Sequence, residues 1–275
     1  LLNSSEKFAE ISKHSEEHGI STGKVELDLS KLMQRKNKIV KQLTSGIGFL
    51  FKKNKVIHIQ GLASFVEKNT IKVSSSDGEK NYSAKNFIIA TGSSSIAIDA
   101  IPVDEKQIVS STGALALESV PKSLLVIGGG YIGLEMGSVW SRLGSKVTVV
   151  EALDRIVPTM DEEIAKEFMK SLKKQGLDFK LSHKVTSTKV VKDGVEVIME
   201  SSDNKTVKEK YDVVLMSIGR KPNTEGLNLE AIGVKLNEKK SIEINSKFKT
   251  SLDGIYAIGD VVPGPMLAHK AEEEG

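Results

Sequence analysis

The stretch from Leu124 to Glu151 constrains the fold more than any other part of the sequence. A short apolar run meets a cluster of glycines, a helical pattern of apolar residues follows, and a β-branched run ends at Glu151. Gly128, Gly130 and Gly133 have the spacing G-x-G-x-x-G at the first turn. With an acid about 20 residues further on, this arrangement predicts a strand–turn–helix–strand unit that binds a dinucleotide.

Each residue of this pattern has an expected role. Gly128 permits the tight turn, Gly130 lets the backbone approach a pyrophosphate, and Gly133 lets the helix pack closely on its strand. The pyrophosphate is expected at the helix N-terminus, where free N–H groups and the helix dipole favour negative charge. Glu151 is expected to accept hydrogen bonds from the adenosine ribose and to repel a 2′-phosphate, which favours NAD over NADP. The simpler alternative is a close turn followed by a solvated acid.

The composition excludes several function classes. A net charge of +3 gives no argument for nucleic acid, and no apolar run approaches the roughly 18 residues of a membrane helix. The chain has no cysteine, so it carries no disulfide, thiolate metal site or thiol redox group of its own. His14 and His18 are four residues apart but lack a third ligand, so we expect no metal site.

The rest of the chain alternates between helical and strand patterns. Helices are predicted over 1–18, from Asp28 or Ser30 to about residue 51 with one apolar packing face, and from Asp161 to Gly176 with Ile164, Phe168 and Leu172 inward. Strands are predicted at 56–59, 64–66, 70–73, 87–90, within 179–217, and at 254–258, with turns at Asp77-Gly78 and Asp193-Gly194.

Two strand ends carry small or acidic residues that suit a ligand. The strand 87–90 runs into Thr91-Gly92-Ser93, and the strand 254–258 runs into Gly259-Asp260. Ligands of open α/β sheets lie at the carboxyl ends of the strands. A plain turn aspartate is the alternative for Asp260.

This order of features resembles the flavoprotein disulfide reductases, the class I pyridine nucleotide-disulfide oxidoreductases. The segments VIGGGYIGLEMGSVWSRLGSKVTVVE, IGRKPNTEGL and YAIGDVVPGPMLAHKAEEEG closely resemble the dihydrolipoamide dehydrogenases. The resemblance covers essentially the whole chain, and the motifs are specific to that family.

The resemblance implies an α/β, three-layer fold with two nested Rossmann-like dinucleotide-binding domains. Residues 1–120 and 241–275 would belong to an incomplete FAD-binding domain, and residues 121–240 would form an NAD-binding domain inserted into it. The chain begins and stops within these patterns, so we expect it to be a central piece of a longer protein.

The resemblance also implies the residues at each cofactor. Glu151 would bind the adenosine ribose, Val185 would lie beside the adenine, and Gly219 near the nicotinamide. Asp260 would bond a ribitol hydroxyl of FAD. The NAD set is Gly128, Gly129, Gly130, Tyr131, Ile132, Gly133, Leu134, Glu135, Glu151, Val185 and Gly219. The FAD set is Ala63, Thr91, Gly92, Ser93, Asp260, Met266, Leu267, Ala268 and His269, the last four lining the isoalloxazine.

Two positions, Glu135 and Ala63, lack a partner or a residue that is typical of the family. Glu135 would face the flavin, and its lysine partner in the family lies before Leu1; a helix acid favoured by the dipole is the alternative. The family often has a second glycine where this sequence has Ala63 in Gly61-Leu62-Ala63. A methyl group there is compatible with the family's backbone if φ is negative.

The implied activity is the oxidation of protein-bound dihydrolipoyl groups, with electrons passing through a disulfide and FAD to NAD. The family's redox cysteines precede Leu1 and its acid–base histidine follows Gly275, so we expect no catalytic residue within the chain and no turnover by it alone. The implied partners are the lipoyl domain of a 2-oxoacid dehydrogenase complex and a second copy of the parent protein. The expected location is the bacterial cytoplasm, or the mitochondrial matrix for a eukaryotic source.

Two alternatives remain open from the sequence. The chain is either an enzyme part, as above, or a cysteine-free nucleotide-binding module without redox work. Within enzymes, an NADPH-linked glutathione-type reductase is the rival. Such a reductase is expected to have arginines after the second strand. In this sequence an acid, Glu151, comes first, and Arg155 follows it.

Overall fold

The computed structural model describes residues 1–275, which divide into two compact units. Unit 1 consists of Leu1–Ile47 and Ser95–Gly219, and unit 2 consists of Gly48–Ser94 and Arg220–Gly275. Each unit is therefore built from two separate segments of the chain.

The helices are α1 (Leu2–Lys13), α2 (Leu29–Lys53), α3 (Ser111–Ala114), α4 (Tyr131–Arg142), α5 (Glu162–Lys174), α6 (Leu229–Ile232) and α7 (Ala268–Glu274). Short 3-10 turns lie at Ser15–His18 and Gly259–Val261. The strands are β1 (Leu62–Glu67), β2 (Thr70–Ser75), β3 (Gly78–Ser83), β4 (Phe87–Ile89), β5 (Ser93–Ser95), β6 (Ile108–Val109), β7 (Ser123–Ile127), β8 (Lys146–Val150), β9 (Leu177–Lys180), β10 (His183–Val191), β11 (Gly194–Ser201), β12 (Thr206–Tyr211), β13 (Val213–Met216), β14 (Arg220–Pro222) and β15 (Ile255–Ala257).

A parallel five-stranded sheet forms the centre of unit 1, in the order β6-β13-β7-β8-β9. Its central strands are nearly continuous apolar runs, and Val126, Val149 and Leu215 have no exposed surface. Such runs are typical of parallel strands that are covered on both faces. The strands predicted on either side of the glycine cluster are confirmed.

Helix α4 covers one face of this sheet and contacts β7 and β8. Trp140 is fully buried on its inner face, and the indole Nε1 donates a hydrogen bond to the carbonyl oxygen of Ala114 at 3.2 Å. Gly137 brings the helix close to the sheet, since an added Cβ would lie 3.4 Å from Val147. The helical pattern after the glycines is thus confirmed, with its apolar face inward.

An antiparallel sheet in the order β10-β11-β12 covers the other side of the unit 1 core. Alternate residues of β11, namely Val195, Val197 and Met199, are fully buried, as a half-buried strand requires. Asp193 and Gly194 form the predicted turn, and Gly194 has φ of 134°. An added Cβ there would lie 2.3 Å from the carbonyl oxygen of Tyr211, so only glycine fits.

Unit 2 has three small sheets around one apolar core. Strands β1, β2 and β3 form an antiparallel meander, β15 pairs with β4 in parallel, and β14 pairs with β5. Phe65, Ile89, Ile242 and Ile255 are among the buried residues of the core. The parallel pair brings the strand ends Ala90–Ser93 and Gly259–Asp260 into one unit.

Three local predictions are wrong in whole or in part. Residues 56–59 form no strand: they pair with no neighbouring strand, and Ile57 is exposed. Leu172 of α5 is buried as predicted, but Ile164 and Phe168 are exposed, and Ala165 is the other buried residue of the helix. In α2, the first apolar residues, Leu29, Leu32 and Met33, pack on the unit 1 core, but those from Ile39 to Leu50 are exposed, so the predicted packing face is confirmed only at the start of the helix.

The unit boundaries differ from the ranges 1–120, 121–240 and 241–275 expected for the two domains. Residues 1–47 group with unit 1, because α1 packs against α4 and Leu29, Leu32 and Met33 pack on the same core. Residues 220–240 group with unit 2, because Leu229 and Val234 belong to its core. The assignment of each range to a cofactor stays a prediction.

No helix of the chain combines the length and the apolar character that crossing a membrane demands.

Candidate nucleotide-binding sites

The turn between β7 and α4 needs glycine at two positions for steric reasons. Gly128 has φ of 103°, and an added Cβ would lie 2.5 Å from the carbonyl oxygen of Ser217. An added Cβ on Gly133 would lie 2.5 Å from the Gly128 oxygen and from Ser217 Oγ, and 2.9 Å from Val126 Cγ1. These two glycines therefore let the turn and the first turn of α4 pack directly on the strands.

Gly130 differs from its neighbours, because an added Cβ there would meet no atom within 4 Å. The protein itself does not need glycine at this position. Gly130 is the N-cap of α4, a helix of 12 residues, with φ of −78°. Space beside a helix N-terminus is where a pyrophosphate fits, because backbone N–H groups and the helix dipole favour an anion there.

Glu151 lies directly after β8, at the carboxyl end of the parallel sheet. Its Oε2 accepts a hydrogen bond from the N–H of Gly129 at 2.7 Å, and its Oε1 accepts one from the N–H of Leu153 at 2.9 Å. The carboxylate is half-buried. It thus links the glycine turn to the strand end and keeps both oxygens at the edge of the turn.

The other residues predicted for NAD all lie in unit 1, but their side chains differ in exposure. Tyr131 and Glu135 are exposed, and Ile132 is half-buried. Leu134 and Val185 are buried in the core, so their side chains pack against protein. Gly219 follows β13, with φ of 132° and an added Cβ 3.3 Å from Ile96 Cδ1.

The residues predicted for FAD all lie in unit 2, and a hydrogen-bond chain joins two of them. Ser93 Oγ donates to Asp260 Oδ2 at 2.6 Å. Arg220 Nε donates to Ser93 Oγ at 2.7 Å, and its Nη2 donates to the carbonyl oxygen of Ser93 at 2.5 Å. The sequence prediction paired neither Ser93 nor Asp260 with Arg220.

Thr91 and Gly92 form a second set of contacts, with Asn223. Thr91 Oγ1 donates to the carbonyl oxygen of Asn223 at 2.7 Å, and Asn223 Nδ2 donates to the carbonyl oxygen of Thr91 at 3.0 Å. Gly92 has φ of 70°, and an added Cβ would meet nothing within 4 Å. The sequence prediction gave no role to Asn223 or Arg220, although both lie in the polar run IGRKPN after a strand.

The remaining residues predicted for FAD lie around α7 and on β1. Met266 and Leu267 are half-buried, Leu267 is the N-cap of α7, and Ala268 and His269 are exposed at its start. Ala63 lies in β1 opposite Val73 and does not have positive φ. A methyl group is therefore compatible with the backbone at that position.

The turn that carries Asp260 is also held from α7. Glu274 Oε2 accepts a hydrogen bond from the N–H of Gly259 at 2.6 Å, and Glu274 Oε1 pairs with Lys270 Nζ at 2.7 Å. Burial raises the pKa of the Glu274 carboxyl, but the hydrogen bonds from Lys270 and Gly259 outweigh burial and lower it from 4.5. The carboxylate form is thus the one that the fold stabilises.

Each site offers space or polar groups that suit a bound dinucleotide. The turn at Gly128–Gly133 is a cradle that a side chain at Gly130 would fill, and Glu151 offers a carboxylate beside it. Asp260 offers Oδ1, the oxygen that Ser93 does not use, at the end of a parallel strand. Hydroxyl groups of a ribose or ribitol are suitable donors for such carboxylates.

Comparison with known proteins identifies the family. The family model of pyridine nucleotide-disulphide oxidoreductases matches residues 2–275. The chain is 52% identical over 278 residues to the mitochondrial dihydrolipoyl dehydrogenase of Pisum sativum, which covers 100% of the chain and 55% of that protein. It is 51% identical to the leghemoglobin reductase of Vigna unguiculata, covering 100% of the chain and 53% of that protein.

Solved structures agree with this result. The crystal structure of LpdA from Mycobacterium tuberculosis matches with a TM-score of 0.88 and 25% identity, covering 99% of the chain and 59% of LpdA. The HOCl-induced flavoprotein disulfide reductase RclA from Escherichia coli matches with a TM-score of 0.82 and 26% identity, covering 98% of the chain and 58% of RclA.

The comparisons confirm the expected α/β class with Rossmann-like domains and the resemblance to dihydrolipoamide dehydrogenases. The chain spans just over half the length of these relatives. It belongs to the family of the FAD-dependent pyridine nucleotide-disulphide oxidoreductases.

Proposed function

We propose that this chain is the nucleotide-binding part of a dihydrolipoyl dehydrogenase, with an NAD site in unit 1 and part of an FAD site in unit 2. The observation that carries the proposal is the turn at Gly128–Gly133 with the Glu151 carboxylate bonded to its Gly129 N–H. About 50% identity over the whole chain to dihydrolipoyl dehydrogenases supports the choice of enzyme.

In this proposal the whole protein oxidises a dihydrolipoyl group and reduces NAD, giving a lipoyl group, NADH and a proton. When bound, FAD supplies the two-electron step between a dithiol and NAD. The chain has no cysteine, so the dithiol–disulfide exchange uses residues outside it. The protein-bound lipoyl group of a 2-oxoacid dehydrogenase complex is the proposed substrate and partner, and a homodimer is the proposed assembly.

The residues of the chain would bind and orient the two nucleotides. The N-terminus of α4 holds the NAD pyrophosphate beside Gly130, and Glu151 accepts hydrogen bonds from the adenosine ribose. Gly219 lies near the nicotinamide. In unit 2, Asp260 accepts a hydrogen bond from the ribitol, Thr91 and Gly92 approach the flavin nucleotide, and a run of four residues, Met266 to His269, lines the ring system.

The proposed preference for NAD over NADP follows from Glu151. The charge of Glu151 opposes a 2′-phosphate at the same place. Arg155, the first arginine after β8, donates from Nη2 to the carbonyl oxygen of Pro158 at 2.9 Å, which uses one of its five N–H donors. The preference for NAD in this proposal therefore rests on the charge of Glu151.

A steady-state assay of the full natural polypeptide tests the proposal. We expect a purified protein with flavin absorbance that forms NADH from dihydrolipoamide, and binding of NAD at least about tenfold tighter than binding of NADP. Nucleotide binding without flavin or turnover would favour the cysteine-free binding module instead. Tighter binding of NADP would favour the glutathione-type reductase.

The location of the protein is proposed from its relatives. Several plant, slime mould and yeast relatives are named as mitochondrial enzymes. We therefore propose the mitochondrial matrix for a eukaryotic source and the cytoplasm for a bacterial one. Fractionation of the source cells checks this proposal.

A further inference from the structure

Asp260 is held by hydrogen bonds that reach it from two directions. At its carboxylate, Ser93 Oγ donates to Oδ2 at 2.6 Å. At its backbone, the preceding residue Gly259 donates its N–H to Glu274 Oε2 at 2.6 Å. Asp260 is the carboxylate proposed to bind FAD. The residues that position Ser93 and Glu274 therefore control where that carboxylate lies.

The hydrogen bond from Ser93 to Asp260 depends on Arg220. Its Nε donates to Ser93 Oγ at 2.7 Å, and its Nη2 donates to the Ser93 carbonyl oxygen at 2.5 Å. A hydroxyl has one hydrogen to donate and two lone pairs that accept. Because Arg220 occupies a lone pair of Ser93, the hydroxyl hydrogen is left to donate to Asp260. The guanidinium therefore fixes both the position and the direction of the Ser93 hydroxyl.

The hydrogen bond from Gly259 to Glu274 depends on an ion pair. Glu274 Oε1 and Lys270 Nζ are 2.7 Å apart, and their side chains are only 11% and 17% exposed, the lowest values among the ion pairs of the chain. Lys270 Nζ also donates to the Gly259 carbonyl oxygen at 3.3 Å. Both polar groups of Gly259 are thus bonded to one pair of side chains on α7.

A pair this buried is poorly explained by stability alone. Taking two charges out of water costs free energy that their attraction repays only in good geometry. Here the pair is arranged around the backbone of one glycine, which has φ of 77° and immediately precedes Asp260. The geometry supports a role in holding this turn.

We propose that Arg220 and Glu274 are positioning residues for FAD: Arg220 orients the Asp260 carboxylate through Ser93, and Glu274, paired with Lys270, fixes the turn that carries Asp260. This inference rests on the proposed function, since it takes FAD as the ligand of Asp260. Both residues act through others, with Oδ1 of Asp260 left for a ribitol hydroxyl.

Arg220 is tested by titrating FAD into apoprotein of the full natural polypeptide and following the quenching of flavin fluorescence. For Arg220→Gln we expect the dissociation constant of FAD to rise about tenfold, the scale of one hydrogen bond that involves a charged group. The matched control is Lys221→Gln, because Lys221 is the next residue, is exposed, and pairs only with Glu225. That control should leave the FAD affinity unchanged.

A double-mutant cycle shows whether Arg220 acts through Ser93. In a Ser93→Ala background, Arg220→Gln should change the FAD affinity clearly less than it does in the unsubstituted protein, because the hydroxyl that it orients is gone and only its bond to the Ser93 carbonyl oxygen remains. Full additivity of the two effects would overturn the role assigned to Arg220. The melting temperature of each apoprotein, compared with that of the Lys221→Gln control, separates loss of orientation from loss of folding.

Glu274 is tested by the same titration and by amide hydrogen exchange at Gly259. Glu274→Gln should speed exchange of the Gly259 N–H and weaken FAD binding about tenfold, whereas the exposed neighbour Glu273→Gln should change neither. The double variant Lys270→Met/Glu274→Met avoids an unpaired buried charge and should fold while showing the same two losses.

Different failures have different meanings. If the unsubstituted protein binds no FAD, the proposed function fails and this inference fails with it. If it binds FAD and the Arg220 and Glu274 variants bind it equally well, the proposed function stands and this inference is wrong.

Discussion

The carboxylate of Glu151 accepts a hydrogen bond from the N–H of Gly129, 2.7 Å away, so the strand end and the glycine turn are joined by a charged side chain. A ribose hydroxyl that reaches Glu151 has to share the carboxylate with the N–H of Gly129, or take the place of that N–H. In the proposed NAD site, the same residue would therefore contribute to the shape of the turn and to the choice of nucleotide.

Replacement of Glu151 by alanine tests this double role. We expect the dissociation constant of NAD to rise about 10- to 100-fold, because hydrogen bonds to a charged group contribute about 1.5–3 kcal/mol. The affinity for NADP should fall less or improve, because the repulsion of the 2′-phosphate is removed. Isothermal titration with both nucleotides measures the ratio, and Glu163→Ala, an exposed acid of α5, is the control. An unchanged NADP-to-NAD ratio would contradict the assignment.

The glycines of α4 and its turn separate folding from binding. For Gly133→Ala we expect the free energy of unfolding to fall by about 1–3 kcal/mol, since the methyl group would overlap Gly128 and Ser217. For Gly130→Ala we expect unchanged unfolding and NAD binding weaker by about tenfold or more, because the methyl group enters only ligand space. Denaturant unfolding and NAD titration of both variants give the two readouts.

Gly137→Ala is the control on the same helix. An added Cβ there would lie 3.4 to 3.6 Å from its nearest neighbours, which is ordinary contact. Unfolding should therefore be unchanged or harder by about 0.5–1 kcal/mol, the helix preference of alanine over glycine. Equal losses at Gly130, Gly133 and Gly137 would show that packing alone explains these glycines.

The sequence predicted the nucleotide units better than it predicted their polar partners. The turn at Gly128 and the acid at Glu151 are local in sequence, so spacing and residue type were enough to find them. The contact between Ser93 and Arg220 joins residues 127 positions apart, and no periodic pattern records such a contact. The polar character of IGRKPN after a strand was the available signal.

The errors in predicting which face of a helix is buried have a similar origin. Residues 164 and 168 fit an inward helical face with Leu172 by spacing, but Ala165 is buried with Leu172 and residues 164 and 168 are exposed. A period of 3.6 residues shows that a helix has a face, and a shift of one residue turns that face by about 100°. Which face is buried depends on the neighbouring elements, which local spacing does not contain.

Trp140 gives a test of the unit 1 core. It is fully buried, and its Nε1 donates to the carbonyl oxygen of Ala114. For Trp140→Phe we expect the free energy of unfolding to fall by about 2–4 kcal/mol, because the change leaves a cavity and an unbonded buried carbonyl. Urea unfolding followed by circular dichroism measures this loss. Phe168→Leu, a half-exposed aromatic change on α5, should cost well under half as much.

Glu209 predicts how unit 1 responds to acid. Burial raises the pKa of its carboxyl, but hydrogen bonds from Lys180 at 2.7 Å and Tyr211 at 2.5 Å, with the charge of Lys180, lower it below 4.5. A carboxyl whose pKa is lowered by folding stabilises the fold fully above the unfolded value, and this contribution is lost as the pH falls through the lowered folded value. We therefore expect Glu209→Gln to destabilise unit 1 at neutral pH and to flatten the loss of stability as the pH falls to and below about 4.5. Urea unfolding across this range provides the measurement, with Glu200→Gln on the neighbouring strand as an exposed control. A Glu209→Gln curve parallel to that of the unsubstituted protein would show that the ion pair with Lys180 contributes nothing to its acid sensitivity.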